Sequence, residues 1–423
     1  MNVHVEKTVP ITFMMVVKAY RKVRAGGKAA GIDKESWPQF DKEAERNCYV
    51  IWNRLASGSY HPSAVREVEI PKGDGKLRKL GIPTLRDRIA QCVVKDYMEK
   101  QIDRTFHQHS YGYRPMRNQK QALEQVRKNC KQKDWVIDLD ISKFFDEIDH
   151  ELLMKAVERM VEEKWVRMYI SRWLKMKIVD KEGKQYDRQG KGTPQGGVIS
   201  PLLSNIFLHY ALDRWIELKY SQISFVRYAD DMVIHCETEQ EAKEVLSAVK
   251  RRLTEVKLRT NEEKTQIVYC KDYRRKEGHG KVQFGFLGYS YQPRKSKSKY
   301  GGKSYTAFTA EISKENQKRI RSEIRETIQW RNTSMEIRDI ANKLNSKLRA
   351  WIDYYGLYGK AALRRLMIYV DFKLIAWLRN KYKISGVRKA ADKLKSVMNA
   401  RANMFYHWQK GYCYFIKQMA RAV

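Results

Sequence analysis

The chain has 423 residues, 43% of them hydrophobic and 11% aromatic, which is enough apolar material for real cores and excludes wholesale disorder. It carries 84 Lys and Arg against 49 Asp and Glu, a net charge of +35. A surplus of that size repels itself unless a polyanion meets it, so a partner-neutral surface is excluded.

The predicted elements run as follows. Ile11–Tyr20 opens a helix that Gly26-Gly27 closes. It is short, with neither a basic stretch before it nor a small-residue cleavage site after it, so no signal peptide is expected. A second helix is expected from Gln39 to Ser57. Val65–Ile70 and Leu77–Ile82 alternate as two strands around the turn residues Lys72-Gly73-Asp74-Gly75-Lys76. Thr84 caps a long helix to Asp103, and Trp135–Asp140 is a short apolar strand ending in a carboxylate. Leu152–Met176 and Ser200–Tyr220 read as helices. Ile223–Val226 and Met232–His235 are strand-like runs around Tyr228-Ala229-Asp230-Asp231, and Glu237–Val256 is again helical. Val282–Tyr291 is strand-like, Arg294–Lys303 reads as a linker rich in Lys, Ser and Gly, and from Ser313 onward only helices are expected. Mixed elements followed by helices alone predict an α+β body and an all-α domain.

Charge follows the same division. Residues 271–423 hold 35 Lys and Arg against 11 Asp and Glu. This part reads as a binding appendage to a catalytic body. Aromatics interleave its basic residues, among them Trp330, Trp351, Trp377, Tyr382 and Trp408; most are expected in a helical core, some on bases. The six cysteines form no CxxC pair, which favours a reducing compartment over a zinc or disulfide framework. No run of roughly 18 apolar residues occurs, so no membrane-spanning helix is expected.

The sharpest feature is Asp230-Asp231 at the tip of a hairpin. Adjacent carboxylates raise each other's proton affinity unless a cation neutralises them, and Mg²⁺ takes carboxylates together with phosphate oxygens. Asp140, ending a nearby strand, would complete a cage for two Mg²⁺ ions, of the kind that serves in-line phosphoryl displacement. Asp138 shares its strand face, and Asp146 reads as a helix cap or structural acceptor. Lys72 and Arg78 flank a turn from which both could reach triphosphate oxygens. Gly192-Thr193-Pro194-Gln195-Gly196-Gly197 exposes backbone for close approach by a base pair.

Asp140–Asp146, Pro194-Gln195-Gly196 with Ser200-Pro201, and Tyr228-Ala229-Asp230-Asp231 resemble a reverse transcriptase palm in order and spacing. Ile70-Pro71-Lys72, Gly81-Ile82-Pro83-Thr84, His109-Ser110-Tyr111-Gly112-Tyr113-Arg114-Pro115, Phe225-Val226-Arg227, Asn261 with Lys264-Thr265, and Phe286-Leu287-Gly288-Tyr289 narrow it further. The chain resembles bacterial group II intron-encoded reverse transcriptases, or maturases, in the compact subgroup without an HNH endonuclease.

The resemblance implies a right-hand polymerase with fingers, palm and a Tyr-Ala-Asp-Asp catalytic hairpin, then an all-α thumb and maturase domain X. It divides the chain into a helical extension (1–60), fingers and palm (61–300), and thumb with domain X (301–423), whose residues 385–423 serve domain X alone or bind DNA as well. Asp140, Asp230 and Asp231 would hold two Mg²⁺ ions, and Lys264 would face the pyrophosphate. Lys72 and Arg78 would contact the triphosphate, Arg114 would support the template-side fingers within the substrate-binding set, and Gln195 would contact the incoming nucleotide. Phe145 would reject a 2′-hydroxyl, and Phe286, Leu287, Gly288 and Tyr289 would form the primer grip.

The implied activity is RNA-directed DNA polymerase, joined to binding of group II intron RNA in splicing. Implied partners are template RNA with a DNA primer, dNTPs and target DNA, with no membrane and with a homodimer left open. The implied location is the bacterial cytoplasm, at the nucleoid when bound to DNA. Without the paired cysteines of an HNH domain, no cutting of target DNA is expected. Two other readings stand beside this one: a domesticated relative serving defence, CRISPR adaptation or repair, and a non-catalytic splicing cofactor.

Overall fold

The computed structural model describes residues 9–27, 29–71, 77–276, 278, 280–297, 302–329 and 331–414. Three helices lead, α1 (Phe13–Arg24), α2 (Trp37–Lys42) and α3 (Ala44–Ala56). The sequence reads α2 and α3 as one helix. They part at Glu43, where φ is −125° and ψ 38°, and Asn47 Nδ2 donates to the Phe40 carbonyl at 3.0 Å. A side chain thus competes for a carbonyl that an unbroken helix would use.

Strands β1 (Val65–Pro71) and β2 (Leu77–Ile82) pair antiparallel from Arg66↔Ile82 to Pro71↔Leu77. The turn between them, with Lys72, lies outside the described residues. Helix α4 (Leu85–Ile102) starts where Thr84 Oγ1 accepts from Asp87 N at 3.1 Å. Buried Asp87 also accepts from Tyr60 Oη at 2.7 Å and Ser63 N at 3.1 Å, which pins the helix start. Leu85, Ile89, Val93, Val94 and Met98 are all buried, so α4 is enclosed rather than amphipathic.

Helix α5 (Gln119–Gln132), unforeseen, precedes β3 (Trp135–Leu139). Then come α6 (Phe144–Glu147), α7 (His150–Met160), α8 (Lys164–Leu174), β4 (Ile178–Val179) and β5 (Gln185–Tyr186). Strand β4 lies parallel to β1, giving a sheet ordered β2-β1-β4-β5. Next, α9 (Ser200–Leu208) runs through a π-helical turn, His209–Asp213, into α10 (Arg214–Lys219). The hairpin β6 (Ser224–Tyr228) and β7 (Asp231–Cys236), α11 (Glu239–Glu255) and β8 (Gln266–Tyr269) complete a sheet ordered β6-β7-β3-β8.

The chain divides into two compact units, Met1–Ala122 with Ile137–Gln266, and Leu123–Val136 with Ile267–Val423. In the second unit β9 (Phe284–Phe286), β10 (Tyr289–Lys297) and β11 (Ser304–Ile312) form a sheet ordered β11-β10-β9. Arg294–Lys297 therefore belong to a strand and not to a linker. Among the described residues five helices follow, where four or five are expected: α12 (Lys314–Thr327), α13 (Ile337–Tyr355), α14 (Lys360–Lys381), α15 (Val387–Ala400) and α16 (Tyr406–Gln409). Trp351, Tyr355, Trp377 and Trp408 are buried in them, whereas Tyr382 is exposed and Trp330 lies outside the described residues. Fully buried Asp371 on α14 accepts from His407 Nε2 at 2.9 Å, Trp408 Nε1 at 2.9 Å and Tyr414 N at 2.8 Å, fastening the last described segment. Among the described residues no helix is long and apolar enough to cross a membrane.

Candidate active site

The β6–β7 pairing runs from Ser224↔His235 to Tyr228↔Asp231, leaving a turn of just Ala229 and Asp230. Ala229 has φ +59°, a left-handed backbone that disfavours any residue with a Cβ. The surroundings hold it there. Arg227 Nη1 donates to the Ala229 carbonyl at 2.9 Å, and a Cβ on Gly112 would stand 2.2 Å from Ala229 N. Only glycine fits so close to that amide.

Arg227 itself has no exposed surface. It donates to both Asp213 carboxylate oxygens, at 2.7 and 2.5 Å, and to Asn205 Oδ1 at 2.9 Å. Asn205 Nδ2 in turn donates to the Gly112 carbonyl at 2.7 Å. The outer edge of β6 is closed by Arg227 N to His109 O at 2.9 Å and Tyr111 N to Arg227 O at 2.8 Å. These contacts lock the turn that presents Asp230 and Asp231.

Asp140 leaves the end of β3. Its carbonyl accepts from Asn261 N at 2.8 Å and its amide donates to Thr265 Oγ1 at 3.3 Å. The Asn261–Thr265 turn thereby carries Lys264 Nζ to 3.9 Å from Asp140 Oδ1. Asp231 stays open to solvent, yet enough protein surrounds it to desolvate it, as on the floor of a cleft. That desolvation, with the charges of Asp230, Asp140 and Asp138, pushes its carboxyl up to about 7 against the pull of Lys264. Asp230 is raised by desolvation and by Asp140, while Arg78 and Arg227 oppose.

Asp140, Asp230 and Asp231 thus share one electrostatic neighbourhood. Among the described residues, no three His, Cys, Asp or Glu are gathered closely enough to chelate a metal. The donors are carboxylate oxygens that repel one another, which is the chemistry of a site for a hard divalent cation. Asp138 accepts from Gln266 Nε2 at 3.1 Å, which holds it on the sheet.

The other expected site residues are placed unequally. Phe145 is half-buried on α6 against Phe144, and its carbonyl accepts from Thr193 N at 2.7 Å. Gln195 is half-buried, 3.4 Å by Nε2 from Asp146 Oδ1, and its carbonyl accepts from Gly81 N at 2.9 Å. The loop glycines serve packing within the protein. A Cβ on Gly196, at φ +124°, would stand 2.6 Å from the Gly81 carbonyl, and one on Gly192 2.8 Å from that of Asp146. Gln195 and Asp146 also border a cavity of about 240 Å³ that Lys79, Arg188 and Lys191 line. Arg78 is exposed on β2, and its charge reaches Asp230.

Arg114 sits as an internal support: it is buried, and its guanidinium donates to the Asp103 carboxylate and to the Asp103, His107 and Ser110 carbonyls. Those bonds use all of its N–H groups, so it ties a turn together. In the second unit, Phe286 and Tyr289 are buried, and Tyr289 Oη donates to the Tyr354 carbonyl at 2.6 Å. Only the turn Leu287-Gly288, at φ +48° and +78°, is open enough to be touched.

Arg227, Asp213, Asn205 and Gly112 carry no role in the sequence reading. One signal was available: a charged residue inside the apolar strand before the Asp pair needs a buried partner.

Comparison with known proteins follows the same lines. Residues 70–291 match the family model for reverse transcriptase (RNA-dependent DNA polymerase), and residues 317–395 match the group II intron maturase-specific domain. Protein YkfC of Escherichia coli strain K12 is 31% identical over 313 residues, covering 65% of this chain and 78% of that one. The group II intron-encoded protein LtrA of Lactococcus lactis subsp. cremoris is 31% identical over 245 residues, 57% of this chain but 39% of its own length. Among solved structures, telomerase from Candida albicans, in complex with a fragment of telomeric RNA, aligns over 89% of this chain and 67% of its own. Its TM-score is 0.47 and its identity 10%.

Proposed function

The chain belongs to the group II intron-type reverse transcriptases and is an RNA-directed DNA polymerase, and from that premise we propose that it copies intron RNA into cDNA and binds the same RNA in splicing. The observation that carries the catalytic half is the electrostatic neighbourhood that Asp140, Asp230 and Asp231 share at a locked turn, with Lys264 beside Asp140.

In the proposed reaction the primer's 3′-hydroxyl oxygen bonds to the α-phosphorus of a dNTP. The bond to the bridging oxygen breaks, the hydroxyl proton passes to water, and pyrophosphate leaves. Asp140, Asp230 and Asp231 would hold Mg²⁺, which when bound supplies positive charge to the reacting phosphates. Arg78 meets the triphosphate from β2. Lys264 faces the departing pyrophosphate as electrostatic partner and proton donor. Phe145 occupies the space that a 2′-hydroxyl would need, and Gln195 borders the incoming nucleotide. The helices of the second unit, with their excess of Lys and Arg, grip intron RNA by its phosphates.

The test is cDNA synthesis on a primed RNA template with Mg²⁺ and dNTPs, wild type beside Asp230→Asn. Synthesis by the wild type alone is expected, with RNA binding retained by both, because the substitution leaves the basic surface untouched. Synthesis by Asp230→Asn would displace the site. Tight RNA binding without synthesis by either would favour a splicing cofactor.

A further inference from the structure

One aromatic side chain at the site has no part in the proposed reaction. Tyr113 is 51% exposed, and its hydroxyl takes no hydrogen bond among the described residues. Its backbone has φ +56°, a conformation that a bulky residue keeps only when its surroundings impose it.

The surroundings do impose it, from both sides. Gly112, immediately before, packs against the Ala229 amide and gives its carbonyl to Asn205 Nδ2 at 2.7 Å. Arg114, immediately after, is buried and bound at every N–H. The ring therefore stands on a backbone that cannot retreat. Its centroid is 6.4 Å from that of Tyr228, the residue that opens the catalytic turn. Burial raises the phenol's proton affinity, the charges of Asp230 and Asp231 add to this, and Arg78 opposes it. Tyr113 thus lies within the fields of both the Asp pair and the β2 arginine.

Whatever reacts at Asp230 while its phosphates meet Arg78 brings a base and a sugar past this ring. A half-exposed aromatic face carried on so fixed a backbone has a stacking surface to offer. We propose that Tyr113 is a specificity-determining residue, whose ring bears on the base pair at the primer's 3′ end and penalises a mispaired one. The proposal rests on the polymerase reading of the site.

The test compares extension of matched and mismatched primer termini on an RNA template by the full chain with Mg²⁺ and dNTPs. Two variants are used. Tyr113→Asn removes the ring and keeps a residue that tolerates the left-handed backbone, and Tyr113→Phe removes only the hydroxyl. Stacking of one base on an aromatic ring predicts that Tyr113→Asn loses about tenfold in the matched-to-mismatched ratio, while Tyr113→Phe stays at the wild-type ratio. An unchanged ratio in Tyr113→Asn, with the wild type active, overturns the proposal and leaves the polymerase reading standing. An equal loss in both variants overturns the role of the ring. A wild type that extends neither primer overturns the polymerase reading, and this proposal with it.

Discussion

Arg227 holds a full charge at a point without solvent, and its hydrogen bonds to Asp213, Asn205 and the Ala229 carbonyl are what make that tolerable. Removing the guanidinium alone would leave Asp213 buried and uncompensated, a change that costs about 3–5 kcal/mol. Arg227→Met is therefore expected to unfold in urea with a free energy lower by about that amount. It should also lose nucleotide incorporation under conditions where it remains folded, because the turn that presents Asp230 and Asp231 loses its donor. An unchanged urea midpoint would mean that the pair contributes nothing to stability. The shared neighbourhood of Asp140, Asp230 and Asp231 was legible in the order and spacing of their motifs. Arg227's partner was not, since Asp213 lies 14 residues upstream on a π-helical turn and resembles any other acid in the sequence. Arg114's partners were hidden for a related reason: local sequence does not reveal that two flanking turns close over a guanidinium.

Elements were legible where one physical signal dominated. Thr84 announced α4, and alternating residues around turn chemistry announced β1 and β2. The β10–β11 hairpin was hidden, because a ribbon with solvent-facing Lys and Ser has the composition of a linker. Strands β4 and β5, two residues each, are too short to show a period. The segment after β8 was equally silent, yet it is tightly held. Asp272 accepts from the amides of Arg274 and Arg275 at 2.9 and 3.1 Å and from their guanidinium groups at 3.0 and 2.8 Å. Burial would raise its carboxyl, but these bonds outweigh it and hold the group at about 2. An unfolded Asp titrates near about 3.9. The folded value is depressed, so the stabilisation is complete above the unfolded value and fades as pH falls toward 2. Asp272→Asn is expected to lower stability at pH 7 by about 1–3 kcal/mol, and to differ progressively less from the wild type as pH falls below about 4. Urea unfolding of both proteins at several pH values checks this. A difference that stays constant from pH 7 down to pH 3 would remove Asp272's charge from the explanation.

On the scale of the whole chain the uneven charge is the dominant fact. Residues 271–423 hold 35 of the 84 Lys and Arg but only 11 of the 49 Asp and Glu. Helix α15 illustrates how such a composition still folds. Ala390, Leu394 and Met398 form one buried stripe, and Arg388, Lys389 and Lys393 remain exposed. Apolar spacing directs the helix inward and leaves these cations at the surface. Composition could announce that division of labour, whereas which cations meet phosphate depends on a bound geometry that no sequence pattern records. If the partner is RNA, binding releases condensed counterions, and affinity should fall roughly 10³–10⁵-fold between about 50 and 200 mM salt for about 6–10 phosphate contacts. Asp230→Asn should follow the same line as the wild type, since it changes the β6–β7 turn and leaves the basic helices alone. Replacing Arg388 and Lys389 together by Gln should flatten the slope of log affinity against log salt by about one for each phosphate the pair had neutralised. Filter binding of a structured intron-like RNA across a salt series measures all three slopes. A wild-type slope near zero would show that charge does not drive the complex, and the RNA-binding role of the helical unit would lose its physical basis.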